Sequence, residues 1–215
     1  GGLILNRSNF IMQPGEALQL ENFEPDISGG YRRISGFRKY VNAIVPQTSS
    51  SSESLLMIAN FDNKVVAARG EKIFSSASAE ISIAIAANTS MTGSGTITVP
   101  STLGFSSSGT LQINSEIFTY TGKTATNFTG VTRAVSSTAA AHAKLDVVSE
   151  SWTVRDTGRT SAAKYHFERY NFDGNEKIIC VDGVNAPVIF NTSMSAADVS
   201  DSSVAGATVV AAYRN

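Results

Sequence analysis

The sequence has one cysteine, two histidines and few charged side chains among its 215 residues. Cys180 has no partner for an internal disulfide, and Cys180, His142 and His166 are too few for a zinc site of the usual kind. The net charge of −1 excludes a protein whose whole surface attracts nucleic acid or anionic lipid. No apolar run reaches the roughly 18 residues of a membrane helix. The sequence therefore predicts no metal, no cofactor and no membrane span.

Motifs of enzymes are also missing. The sequence has no G-x-S-x-G elbow, no P-loop, no H-E-x-x-H and no G-x-G-x-x-G that leads into a helix. His166 and Glu168 fall on the same side of a predicted strand, where they could serve acid–base chemistry. The alternative is a polar outer strand face, with Tyr165 and Phe167 turned towards the core. We expect a protein that is not an enzyme; a hydrolase that uses Asp156, Glu168 and His166 is the competing hypothesis.

Two stretches of the sequence each predict a three-stranded antiparallel meander. The predicted strands are residues 55–60, 64–69 and 72–76 in the first stretch, and residues 164–172, 177–181 and 187–190 in the second. Turn residues such as Asp, Asn and Gly separate them. Phe61 and Phe172 lie 111 residues apart, and 45 apart once a 66-residue window is subtracted. A repeat of that length, with one small antiparallel sheet in each copy, is typical of β-propeller blades.

The subtracted window, residues 84–149, differs from the rest of the chain in composition. It holds 5 of the 35 charged residues and is rich in serine and threonine. Short β-branched runs inside it still predict strands, and Asn114-Ser115 predicts a tight hairpin turn. We interpret the window as an inserted module, in the form of a small β-barrel or sandwich.

These patterns predict an all-β fold of partial β-propeller-like antiparallel blades that carry the inserted small module; some other β-rich fold is the alternative. The expected domains are an extended N-terminal segment at 1–45, a first blade at 46–83, the module at 84–149, and a second blade with the start of a third at 150–215. Two blades do not close a propeller. We therefore expect closure to need further blades, from a longer protein or from neighbouring chains.

One cluster of the sequence combines basic and aromatic side chains. It is our candidate interface and consists of Tyr31, Arg32, Arg33, Phe37, Arg38, Lys39 and Tyr40. Such a composition suits an acidic protein surface or a phosphate backbone. We favour an interface with another protein; a solvated strand face and direct contact with nucleic acid are the alternatives.

Several phrases of the sequence resemble one family. In the first 40 residues they are PGEAL at 14–18, LENFEPD at 20–26 and GYRRISGF at 30–37; further on they are KVVAARGEKIF at 64–74 and YNFDGNEKIICVDGVNAPVIFN at 170–191. They resemble the tail nozzle proteins of tailed bacteriophages, also called tail tubular protein B, especially those of marine and cyanobacterial hosts. The phrases EIFTYTGK at 116–123 and FTGVTR at 128–133 are similar to a small module that recurs in phage structural proteins.

The resemblance implies a non-enzymatic building block of the virion tail. Such proteins form a homo-oligomeric ring below the portal and adaptor, extend the DNA channel without reading its sequence, and hold fibres or tip proteins. Two alternatives stay open. One is a surface carbohydrate-binding or adhesin-like module, because Phe118, Tyr120 and Trp152 accompany the Thr-rich window. The other is a different virion protein, such as a head decoration subunit.

Overall fold

The computed structural model describes residues 2–3, 16–17, 23–25, 31–34, 39–48, 53–161, 163–171 and 174–213. Residues 1–38 and 39–215 form two compact units. The first unit contains two small strand pairs. In the parallel pair, β1 (Gly2–Leu3) lies beside β2 (Glu16–Ala17); in the antiparallel pair, β3 (Phe23–Pro25) lies beside β4 (Tyr31–Arg33). The second unit holds the other strands of the described chain, and its fold is all-β, as predicted.

The first predicted meander is present and gains a fourth strand. Its strands are β5 (Leu55–Phe61), β6 (Lys64–Arg69), β7 (Lys72–Glu80) and, after the inserted window, β14 (Thr153–Thr157), which pairs with β7. Side chains alternate along β5, so that Met57, Ala59 and Phe61 are buried on one face. The two-residue turn Asp62-Asn63 has φ of 46° and 59°, which suits a tight hairpin. We call these four strands the first sheet.

The second predicted meander also has four strands. They are β15 (His166–Tyr170), β16 (Lys177–Val181), β17 (Val188–Asn191) and β18 (Ala196–Asp198), each antiparallel to the next. A single 3-10 turn follows at Ser202–Val204. We predicted that a third copy begins at residues 209–215, and the described part of this stretch, residues 209–213, contains no strand. We call β15–β18 the second sheet.

The window between β7 and β14 forms an open sheet around a core of its own. Its strands are β8 (Thr92–Thr98), β9 (Gly109–Ile113), β10 (Glu116–Tyr120), β11 (Gly122–Lys123), β12 (Asn127–Thr132) and β13 (Val147–Glu150). They pair in the order β8, β12, β10, β9 and β13, with β11 beside β12. β13 then pairs with the second half of β7, so the window continues the first sheet.

We predicted a small β-barrel or sandwich for the window, and of these two forms the closed barrel is wrong, because the sheet stays open. In the described chain, β8 and β7 are not paired with each other. One backbone hydrogen bond brings the two ends of the curled sheet together: Ser82 N–H donates to Thr98 O at 2.7 Å. Fourteen buried residues, including Phe118 and Phe128, fill the space that the sheet encloses. The window therefore buries enough apolar surface to have a core without a closed ladder of strands.

A second core lies between the first and second sheets. Phe61 and Ile73 from the first sheet and Ile178 and Phe190 from the second are completely buried in it. Full burial of one such side chain contributes about 1.5–3 kcal/mol. Equivalent strands also lie at the same edge, because the first strands β5 and β15 contact each other. The two sheets thus stack in the same orientation over one shared core.

The stacking is front to back. Both β6 and β16 begin at a lysine, and a glycine follows six residues after that lysine in each copy. Val66 and Ala68, the third and fifth residues from the lysine, face the shared core. From the second sheet, Ile178 and Cys180 do so, which are the second and fourth residues. Because side chains alternate along a strand, the two copies of the repeat use opposite faces in their contact.

Candidate interaction site

The predicted interface cluster is divided between the two units. Tyr31, Arg32 and Arg33 form the exposed strand β4, and the Tyr31 side chain is 43% exposed. Arg32 Nε and Nη2 both lie 2.8 Å from Glu24 Oε1 on β3, so one guanidinium group pairs within the hairpin. Because this pair is exposed, it contributes at most about 1 kcal/mol.

Two of the remaining members of the cluster lie at the start of the second unit. Lys39 and Tyr40 open the second unit and are exposed, with the Tyr40 side chain 48% accessible. Phe37 and Arg38 lie outside the described residues. The use of this cluster as a protein interface stays a prediction.

A buried network of charged side chains connects distant parts of the window. Glu116 is completely buried and Arg133 is 8% exposed. Arg133 Nε donates to Glu116 Oε1 and Nη2 donates to Glu116 Oε2, both at 2.8 Å. His142 Nε2 lies 2.8 Å from the same Oε2, and the backbone N–H groups of Ala134 and Ala140 also donate to the carboxylate. The other Arg133 hydrogen bonds go to backbone carbonyls, those of Ala86, Thr89 and Ala140.

This network fixes the charge of Glu116. Burial alone would raise the pKa of the carboxyl, but hydrogen bonds from Arg133, Ala140 and His142 outweigh it and lower the pKa to about 2. The pKa of Arg133 is raised, chiefly through its hydrogen bond to Glu116. The hydrogen bonds of Glu116 and Arg133 join strand β10 to the loops around residues 86–89 and 133–142, and His142 Nδ1 also lies 3.5 Å from Asn114 Nδ2 in the turn before β10. The cluster therefore acts as an internal brace of the window.

Sequence reasoning missed this brace. The window has only five charged residues, and two of opposite sign are Glu116 and Arg133. Charged groups in a stretch that forms a core need partners when they are buried. That scarcity was the available signal, and His142, for which the sequence suggested no partner, belongs to the same network.

A second polar cluster joins the two stacked sheets. Arg159, which follows β14, is 6% exposed and pairs with Asp156 on its own side. Across the junction, Nη1 donates to Ala186 O at 2.7 Å and Nη2 to Asp198 Oδ1 on β18 at 2.5 Å. The fourth strands of the two sheets are therefore linked, just as the first strands are in contact.

Two further groups at this junction are explained by their surroundings. Asp182 accepts hydrogen bonds from the backbone of Val184 and from Asn185, which lower its pKa although burial opposes this. Cys180 is 1% exposed, and burial raises the pKa of its thiol to about 12. The thiolate that nucleophilic chemistry requires is therefore not formed near neutral pH.

The residues of the hydrolase hypothesis do not form a catalytic arrangement. His166 and Glu168 share a strand face, as predicted, but His166 Nδ1 accepts a hydrogen bond from Val210 N–H at 3.3 Å. Asp156 lies on β14 of the first sheet, opposite the core residue Ile73, and it is held there by Arg159. Tyr165 and Phe167 pack against that core, which confirms the predicted inward direction.

The aromatic residues that suggested glycan binding are mostly inside. Phe118 is completely buried and Tyr120 is 2% exposed. The Tyr120 hydroxyl oxygen lies 2.9 Å from Ser106 O and also from Glu150 Oε1, the two acceptors for its single proton. Trp152 donates its Nε1–H to Ala43 O at 2.9 Å. Stacking on a sugar needs an exposed ring face, which Phe118 and Tyr120 do not provide.

Comparisons of the chain with protein-family models, with curated proteins and with solved structures return no match. Within the described ranges, His, Cys, Asp and Glu side chains form no group that could hold a metal ion. The part of the chain that the structure describes has no helix of the length and hydropathy needed to cross a membrane.

Proposed function

We propose that this chain is a non-enzymatic structural subunit of the tail of a tailed bacteriophage. In this role it forms part of a ring of the nozzle type, which extends the DNA channel and holds fibres or tip proteins. The proposal combines the resemblance of the sequence phrases with one observation on the fold, the front-to-back stacking of two four-stranded antiparallel sheets.

That stacking favours an assembly role for a geometric reason. When two sheets pack through unlike faces, one free face of each kind remains at the two ends of the pair. A further sheet can therefore pack on either end in the same way. Packing of this kind can repeat; it gives a ring where the rotation closes, as in propellers and cyclic oligomers, and an open filament where it does not. The polar link through Arg159 and the shared core make the pair of sheets one stiff element, which suits a mechanical part of a virion.

Two measurements test the proposal. Negative-stain electron microscopy of the purified full chain should show rings, and peptide mass spectrometry of purified virions from the source of the gene should detect the protein. A chain that stays monomeric at high concentration, together with its absence from virions, would refute the proposal. A ring-forming chain found only on a cell surface would instead favour the adhesin alternative.

A further inference from the structure

Each stacked sheet has one face that the shared core does not use. On the first sheet, a row of cross-strand neighbours on this face runs from Ile58 through Ala67 and Phe74 to Val154. Ala67 and Phe74 are buried, whereas Ile58 is 62% and Val154 is 43% exposed. The ends of the row are therefore open although its centre is covered.

An extended segment of the same chain crosses this face. Ala43 O accepts from Trp152 Nε1, and Val45 O accepts from Arg69 Nη1 at 2.6 Å. Arg69 lies two residues after Ala67 on β6, so its side chain is on the same face. Ile44, between the two anchored carbonyls, is 84% exposed. We call Ile44, Ile58 and Val154 the first outer surface.

The unused face of the second sheet has the same construction. Its row runs from Glu168 through Ile179 and Ile189 to Ala197. Ile179 and Ile189 are only half-buried, and Ala197 is exposed.

Residues 207–213 extend along this face. They are held by Ala207 O, which accepts from Gly183 N–H at 2.9 Å, and by Val210 N–H, which donates to His166. A cavity of about 150 Å³ remains between Val210–Ala212 and the sheet, so the segment does not fill the face. Val209 is 69% and Tyr213 is 80% exposed. We call Ala197, Val209 and Tyr213 the second outer surface.

We propose that the first outer surface of one copy of this chain docks on the second outer surface of another copy. The occupant follows from the internal contact, in which opposite faces of the two copies of the repeat already meet. The unused face of the first sheet corresponds to the face that the second sheet places in the core. The unused face of the second sheet corresponds to the face that the first sheet places in the shared core. A copy-to-copy contact thus continues the existing stack, and its head-to-tail character permits ring closure.

This inference rests on the proposed function, since it names the surfaces that would build the ring. Tyr213 is of a type that is enriched at interface hot spots, and the exposed aliphatic side chains would gain free energy from the burial of their apolar area. A single arginine placed among them would have to be buried without a partner on association. We expect Ile58→Arg or Val209→Arg to weaken self-association roughly tenfold or more, which corresponds to about 1.4 kcal/mol or more.

The decisive experiment mixes the two variants. Each variant alone should be monomeric by analytical ultracentrifugation, because each has lost one of the two surfaces. Their mixture should form heterodimers that grow no further, since one intact surface of each type can still meet. Leu103→Arg is the matched control: Leu103 is 63% exposed in the inserted window, and this variant should assemble like the unmodified chain. Circular dichroism checks that all three variants are folded.

The outcomes separate this inference from the proposed function. If the unmodified chain forms rings and both Ile58→Arg and Val209→Arg still form them, other surfaces build the ring and only the present inference is overturned. The same holds if each variant is monomeric and the mixture is monomeric too, because the two surfaces then do not meet each other. If the unmodified chain never associates, the ring assembly falls together with this inference, and detection in virions decides whether any virion role survives.

Discussion

Replacing Glu116 by glutamine keeps the shape of a completely buried side chain but removes its charge and half of its acceptor capacity. Oε2 of the carboxylate faces three donors, from Arg133, Ala140 and His142. If the amide nitrogen of glutamine takes the place of Oε2, its N–H groups face these three donors and no hydrogen bond forms. The buried charge of Arg133 is then left without a counter-charge. Breaking a buried pair in this way costs about 3–5 kcal/mol.

The lowered pKa of Glu116 gives a similar value for the stabilisation free energy. A fall from the ordinary 4.5 to about 2 corresponds, at about 1.4 kcal/mol for each unit of pKa difference, to about 3 kcal/mol of folding free energy at neutral pH. Because the pKa of the folded state is the lower one, this contribution is complete above pH 4.5. It is lost as the pH falls towards 2, where the folded state also binds the proton.

The assay is chemical denaturation followed by the fluorescence of Trp152, the only tryptophan. At pH 7, Glu116→Gln should lower the free energy of unfolding by about 3–5 kcal/mol. Between pH 4.5 and pH 2 the parent should lose about 3 kcal/mol more than the variant does. A variant within about 1 kcal/mol of the parent at pH 7, the scale of a pair that contributes little, would refute the reasoning.

A double replacement tests whether the pair or its surroundings matter. In many proteins an apolar pair replaces a buried ion pair without loss. Here Glu116→Leu with Arg133→Met would also leave three backbone carbonyls and two backbone N–H groups without these partners. The carbonyls of the exposed Ala86 and Thr89 can bind water instead, but the groups of the half-buried Ala134 and Ala140 and the ring of the buried His142 lose partners at a cost of about 1–3 kcal/mol each. We therefore expect the double variant to stay destabilised by several kcal/mol, and parental stability would contradict this role of the network.

Three other perturbations have expected outcomes. Arg159→Met removes the link between the stacked sheets and leaves the half-buried Asp156 carboxylate without this partner; because Asp156 and Asp198 keep access to solvent, we expect a loss of about 1–3 kcal/mol in urea denaturation, and an unchanged midpoint would contradict it. Gly104→Ala places a Cβ 2.6 Å from a backbone oxygen, whereas Gly158→Ala has a similar positive φ and open space, so the first should lower the melting temperature more than the second. Native Cys180 should resist a thiol reagent at pH 8 and react quickly once unfolded, because its pKa is about 12; rapid reaction of the folded chain would show that the thiol is accessible.

The local features of the fold could be predicted because they depend on neighbours in sequence. Alternation along β5 and β16 and turns such as Asp62-Asn63 require only a few consecutive residues. The same local pattern placed Cys180 in an apolar strand. It predicted strand β7 only as far as residue 76, although the strand continues to Glu80. The extension exists because β13 pairs with its second half, and β13 is about 70 residues further along the chain.

The sequence by itself determined that this chain is all-β, that it contains two similar meanders, and that a charge-poor window interrupts them. The tertiary structure alone decided which faces of the meanders meet, how Arg159 links them, and how Glu116, Arg133 and His142 come together. The physical reason is that strand alternation and turn chemistry are short-range properties of the backbone. Burial and ion pairing, in contrast, depend on groups that only the folded chain brings within a few ångströms.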